Sequence, residues 1–158
     1  YGARIGNGNT IFPGAVIGAI PQDLKFRGEE STAEIGDNNI IRENVTVNRG
    51  TAAKGRTIVG NNNLLMESVH VAHDALIGNS CIIGNSTKMA GEIVIDDYSI
   101  ISANVLMHQF CHVGGYDTRR LPFQQGHPTV HHCRTRAYLL CGNQCGRVTP
   151  PWLLQRDH

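Results

Sequence analysis

The stretch VGNNNLLMESVHVAHDALIGNSCIIGNSTKMAGEIVI, residues 59–95, carries an aliphatic residue at every sixth position: Val59, Leu65, Val71, Ile77, Ile83, Met89 and Ile95. A six-residue period fits neither an α-helix at 3.6 nor a strand at 2. It is the mark of a parallel β-helix, in which each hexapeptide forms one flat side of a coil and stacked coils bury the recurring side chain. Three sides close a turn, so residues 18 apart should stack at an inter-strand spacing of about 4.8 Å. The expected fold class is all-β, a left-handed parallel β-helix of hexapeptide repeats with an irregular C-terminal tail.

Outward from this stretch the phase holds. Ile5, Ile11, Ile17, Ile35, Ile41 and Val47 precede it, and Ile101, Met107 and Val113 follow. Asp23 and Glu29 break the column between Ile17 and Ile35, and Ala53 is a weak member between Val47 and Val59, yet both gaps are whole multiples of six. Two segments should therefore leave the coil: 19–34, with Pro21 and a charge cluster, and 48–58, which is basic and glycine-rich. Loops that interrupt a rigid repeat tend to carry function. Glycine follows the column residue at Gly6, Gly18, Gly36, Gly60, Gly78, Gly84 and Gly114, with Asn and Asp crowded nearby. These residues tolerate the left-handed backbone that sharp corners need. The inward rungs should supply most of the stability, at roughly 1.5–3 kcal/mol per buried aliphatic side chain. A polar replacement at Ile83 is expected to cost more than any surface change.

A chain of 158 residues is expected to form one domain, here the β-helix over 1–116. A net charge of +1 gives no basic field for nucleic acid and no acidic tail. No apolar run is long enough for membrane insertion, and no signal-peptide pattern opens the chain. Tyr1 stands first and Ile5 is already in phase, which reads as a fragment whose earlier coils are missing. Five cysteines, an odd number, do not make a secreted disulfide framework. Cys81 and Cys111 sit two residues before column positions, where Ala15, Ala33 and Ala75 recur, so both read as buried reduced thiols in tight corners. A cytoplasmic location follows as an expectation.

After Val113 the period ends: Arg119, Gln125 and His131 occupy the next column positions beyond Tyr116. Residues 117–158 show no defensible helix or strand pattern as written. Read one base out of frame from near Asp117, allowed codons restore a protein-like sequence, so the tail is expected to be an out-of-frame, poorly structured segment. His127, His131, His132, Cys133, Cys141 and Cys145 are of zinc-ligand type, but no pair shows the tight C-x₂-C spacing.

The densest polar cluster inside the regular repeat is Ser68-Val69-His70-Val71-Ala72-His73-Asp74. Steps of 18 from His73 reach Gly91 and then Gln109, with His108 beside it, so an imidazole, a backbone without a side chain and an amide should converge on one face. Acyl transfer to a hydroxyl needs this set: a base for the proton, and a bare N–H that can approach the oxyanion. Two other readings stand beside it. The histidines could simply decorate a coil face, or His70, His73 and His108 could ligate zinc as in the carbonic anhydrases that share this fold. Lys25, with Gln22 and Asp23, offers an ammonium and a carboxylate to a charged, hydroxyl-rich ligand such as a nucleotide sugar, or is a solvated loop charge. Asn48, Arg49, Lys54 and Arg56 in the second loop face an anion or solvent.

Gln22-Asp23-Leu24-Lys25, Ile41-Arg42-Glu43, Asn48-Arg49-Gly50-Thr51, Asn63-Leu64-Leu65-Met66, His70-Val71-Ala72-His73-Asp74, Ala90-Gly91 and His108-Gln109-Phe110 together resemble the acyl-[acyl-carrier-protein]–UDP-N-acetylglucosamine O-acyltransferases. That family opens lipid A synthesis in Gram-negative bacteria, and the likeness runs over about residues 1–116. The resemblance implies a homotrimer with active sites between adjacent subunits. It implies His73 as the general base on the sugar 3-hydroxyl, with Asp74 beside it and the Gly91 N–H holding the thioester oxyanion. Gln22, Asp23, Lys25, His70, His108 and Gln109 would position UDP-N-acetylglucosamine or the 3-hydroxyacyl chain delivered by acyl carrier protein. No metal, other cofactor or covalent acyl-enzyme is expected. Two departures stand out. Glu92 replaces a His that many members carry, and the tail lacks the segment that sets acyl-chain length and the basic helices that engage carrier protein. The alternatives are an inactive β-helical remnant or scaffold, or a carbonic anhydrase-like metal enzyme.

Overall fold

The computed structural model describes residues 2–114 and the backbone of Leu140–Cys141. The chain winds through three parallel sheets in turn, one strand per sheet per coil. The first sheet stacks β1 (Ala3–Ile5), β4 (Thr32–Ile35), β7 (Arg56–Val59), β10 (Leu76–Ile77), β13 (Val94–Ile95) and β16 (His112–Val113). The second stacks β2 (Thr10–Ile11), β5 (Ile40–Ile41), β8 (Leu64–Leu65), β11 (Ile82–Ile83) and β14 (Ile100–Ile101). The third stacks β3 (Val16–Ala19), β6 (Thr46–Asn48), β9 (His70–Val71), β12 (Lys88–Met89) and β15 (Val105–Met107). This is a left-handed β-helix. β17 (Leu140–Cys141) pairs antiparallel with β15. Apart from that pair, the tail readings on 117–158, including the zinc-type residues, lie outside the described residues.

Register follows the hexad column. Ile77 pairs with Ile95, Ile83 with Ile101 and Met89 with Met107, each step spanning 18 residues. That step does not extend to the first coils. Ile5 pairs with Ile35 and Ile11 with Ile41, a step of 30, while Ile35 pairs with Val59 and Ile41 with Leu65, a step of 24. The surplus over 18 is 12 and then 6 residues, both whole hexads, which explains why the column keeps its phase across the loops. The excursions are narrower than 19–34 and 48–58. Ala19, Thr32 and Ala33 already belong to strands, as do Asn48 and Arg56, leaving loops at 20–31 and 49–55. Ala53 is exposed in the second loop and is no column member.

From Ile35 to Val113 the column residues are all buried, and a second inward row two positions earlier joins them: Ala33, Val45, Val69, Ala75, Cys81, Ile93, Val105 and Cys111. A period of two within each strand turns both rows to the same side. Ile5 and Ile11 depart from the expected inward spine, being 46% and 43% exposed. In the described structure β1 and β2 end their sheets, so no coil packs on their outer side.

The corners take the left-handed backbone expected of the Gly and Asn positions, Gly8, Gly14 and Gly18 among them. Left-handed φ, between 56° and 66°, falls three residues after the column residue, at Asn38, Asn44, Asn62, Ser68, Asp74, Ser80, Ser86, Glu92, Tyr98, Asn104 and Phe110. Several glycines directly after the column serve stacking: a Cβ on Gly60 would lie 2.5 Å from the Gly78 carbonyl oxygen in the next coil. One corner is sealed by a buried amide ladder. Asn39 Nδ2 donates to Asn9 Oδ1 at 3.0 Å, the Asn63 N–H to Asn39 Oδ1 at 2.8 Å and the Cys81 N–H to Asn63 Oδ1 at 2.7 Å. The ladder satisfies backbone groups that water cannot reach.

Candidate active site

Every segment with chemical promise leaves the coil at one corner, directly after the third sheet. β3 leads into loop 20–31, β6 into loop 49–55, β9 into His73 and Asp74, β12 into Gly91 and Glu92, and β15 into His108 and Gln109. Five successive coils thus bring these groups to one edge of the prism.

The centre of the edge is His73 over Gly91. A Cβ built on Gly91 would stand 2.6 Å from His73 Nε2 and 3.0 Å from Nδ1, so the imidazole occupies the space of the missing side chain. A side chain at Gly91, one coil from His73 and one from Gln109, would collide with the ring. His73 Nδ1 lies 2.9 Å from Asp74 Oδ2, and the two side chains are 12% and 0% exposed. Asp74 is caged by the second loop and the strand after it. Its Oδ1 accepts the Thr51 N–H at 3.0 Å, its Oδ2 accepts the Thr51 hydroxyl at 2.5 Å, and its own N–H donates to Thr57 Oγ1 at 2.8 Å. The Ala53 N–H donates to Thr51 Oγ1 at 3.2 Å, which leaves the Thr51 proton for the carboxylate. With its other lone pairs turned to donors, the carboxylate can accept an Nδ1–H from the imidazole, the tautomer in which Nε2 carries the lone pair.

The remaining expected residues are distributed around this centre. Gln109 Nε2 donates to Glu92 Oε1 at 3.4 Å, so the two stacked corners are linked. His108 is exposed, and its Nδ1 lies 3.2 Å from the Gln109 carbonyl oxygen. His70 sits on the outer side of the third sheet, half-buried, with Nδ1 2.6 Å from Thr46 Oγ1 and Lys88 as its register partner. Burial holds its pKa below the ordinary imidazole value, with the Lys88 charge adding to the effect. Gln22, Asp23 and Lys25 share the first loop, where the Lys25 N–H donates to Asp23 Oδ1 at 2.9 Å. Among the described residues no hydrogen bond joins these three to His73. The two loops do meet each other: the Ala52 N–H donates to Glu29 Oε1 at 3.2 Å, and the Arg49 guanidinium lies 5.3 Å from the centre of the Phe26 ring. No three His, Cys, Asp or Glu side chains among the described residues gather as a metal site. Thr51 carries a part that the spacing rule did not reveal, because the second loop stretches its step to Asp74 to 23 residues, while Thr57, 17 residues before Asp74, keeps the regular coil spacing.

A family model described as "Bacterial transferase hexapeptide (six repeats)" matches residues 56–91. The acyl-[acyl-carrier-protein]–UDP-N-acetylglucosamine O-acyltransferase of Synechocystis is 53% identical over 111 residues, covering 70% of this chain and 40% of that protein. Among solved structures, LpxA of Bacteroides fragilis, described as a UDP-N-acetylglucosamine acyltransferase, is 90% identical with a TM-score of 0.73. That match covers 73% of this chain and 46% of the other. LpxA from Acinetobacter baumannii is 43% identical with a TM-score of 0.70, over 71% of this chain and 44% of its own. The described coils belong to this acyltransferase family. The chain spans about two fifths of the length of the curated relatives it matches. A match over 111 of the chain's 158 residues necessarily takes in the edge from His70 to Gln109. Among the described residues no helix is long and apolar enough to cross a membrane.

Proposed function

We propose that this chain is an O-acyltransferase that moves a 3-hydroxyacyl group from acyl carrier protein to the 3-hydroxyl of UDP-N-acetylglucosamine. The observation that carries the reading is the His73 ring, hydrogen-bonded to a caged Asp74 and seated against the bare backbone of Gly91. Relatives named for this reaction share the coils on which that arrangement stands.

In the proposed reaction His73 Nε2 removes the sugar hydroxyl proton as the oxygen attacks the thioester carbonyl carbon. The carbonyl π electrons move to its oxygen, and the Gly91 N–H stabilises that oxyanion. Asp74 stabilises the imidazolium formed at Nδ1–H. Collapse reforms the carbonyl, breaks the C–S bond and returns the proton from His73 to the leaving thiolate. No acyl-enzyme forms and no metal takes part. Asp23, Lys25, Gln22, His70, His108 and Gln109 position the two substrates, and the working assembly is a cytoplasmic homotrimer whose sites lie between subunits. Glu92 accepts from Gln109 Nε2 and so helps to hold that amide at the edge.

The test is 3-O-acylation of UDP-N-acetylglucosamine from acyl carrier protein by the full chain and by its His73→Ala variant. Removal of a general base should lower the rate by about 10²–10⁴. An unchanged rate in the variant takes His73 out of its role.

A further inference from the structure

We infer that Thr51 is a positioning residue for the base, acting through Asp74. This rests on the reading of His73 given above. The carboxylate of Asp74 is fully buried and stands at a left-handed corner position, φ 59°, with the His73 ring on its Oδ2. Both of its oxygens are fixed by one residue from a different coil: the Thr51 N–H grips Oδ1 and the Thr51 hydroxyl grips Oδ2, the same oxygen that faces His73 Nδ1. A two-point grip of this kind sets the plane of the carboxylate, and the plane of the carboxylate sets the plane of the imidazole.

The second loop is shaped to present that grip. The Gly55 N–H closes it by donating to the Thr51 carbonyl oxygen at 2.6 Å, and the Ala53 N–H orients the hydroxyl. Lys54 Nζ reaches the Asp74 carbonyl oxygen at 3.4 Å. Gly50 admits the close turn, since a Cβ there would meet Arg56 Cα at 2.6 Å. The hexad inserted between Val47 and Val59 therefore has a task beyond facing a ligand: it delivers the hydroxyl that aims the base.

Thr51→Val keeps the backbone N–H and the side-chain shape while removing the hydroxyl, and Thr51→Ser restores it. Two readouts on the full chain test the assignment. In NMR the His73 Nδ1 proton, hydrogen-bonded to Asp74, should resonate downfield, move upfield and broaden in Thr51→Val, and return in Thr51→Ser. In the transfer assay Thr51→Val should lower kcat by about 10- to 100-fold, the weight of a hydrogen bond to a charged group, with KM for both substrates held. That loss should vanish when Asp74→Asn is already present. A His73 proton missing in the parent chain, or unmoved in Thr51→Val, overturns the inference, as does a serine variant as impaired as the valine one. Full activity in His73→Ala would instead overturn the reading of the base, with the NMR result for Thr51 still standing.

Discussion

The His73 imidazole fills the space that a side chain on Gly91 would take, with Nε2 2.6 Å and Nδ1 3.0 Å from the position of the absent Cβ. The ring cannot shift cheaply, because Nδ1 is tied to a carboxylate that is itself tied at both oxygens. Gly91→Ala should therefore displace the ring by a sizeable fraction of an ångström while leaving the coil intact. A misplacement of that order costs about 10²-fold in rate. Steady-state kinetics should show the loss in kcat, and thermal unfolding should show a midpoint close to that of the parent. A midpoint that falls as steeply as the rate would mean that Gly91 serves the coil rather than the site.

Asn63 tests the buried amide ladder. Its side chain accepts from the Cys81 N–H at 2.7 Å and donates to the Gly78 carbonyl oxygen at 2.9 Å, and the residue is 1% exposed. Asn63→Ala leaves both backbone groups without these partners, at about 1–3 kcal/mol for each unsatisfied group. Equilibrium denaturation should register a loss of about 2–6 kcal/mol for the two together, larger than for Asn61→Ala on the exposed side of the same corner. Equal losses in the two variants would remove the ladder from the account of stability.

His70 gives the fold a pH dependence whose sign is fixed. Burial is the larger cause of its lowered pKa and Lys88 the smaller. In the window between the lowered folded value and the unfolded value near 6.5, the unfolded chain binds more protons, so stability rises with pH. This contribution is complete above the unfolded pKa and is lost as pH falls through the folded one. Lys88→Met should move the His70 titration, followed by NMR, part of the way back toward 6.5 without reaching it, because burial remains. A titration that returns fully would make the Lys88 charge the main cause.

Much of this was legible in the residues. The column from Val59 to Val113 needs only a period count, and with three sides to a coil it places His73, Gly91 and Gln109 in register. What escaped was set by the insertions. Thr51 lies 23 residues before Asp74, a distance that a rule of 18 cannot produce, and only the folded loop brings the two together. Which corner residue turns left-handed and which admits the next coil was not legible, for a related reason. A sequence shows that Gly60 and Asn62 are near a corner, but φ at Asn62 and the coil stacked on Gly60 depend on three-dimensional neighbours. Ile5 and Ile11 look like any other rung in a string of letters, and their exposure comes from their place at the end of the stack.

Because both loops open and close at the same edge, and each adds a whole number of hexads, the rest of the prism never registers their presence. Segments there can lengthen, shorten or be exchanged by sixes while Ile77, Ile83 and Met89 keep their partners above and below. One rim of the molecule is thus free to vary its recognition surface, and the two remaining rims answer only to the demands of cohesion.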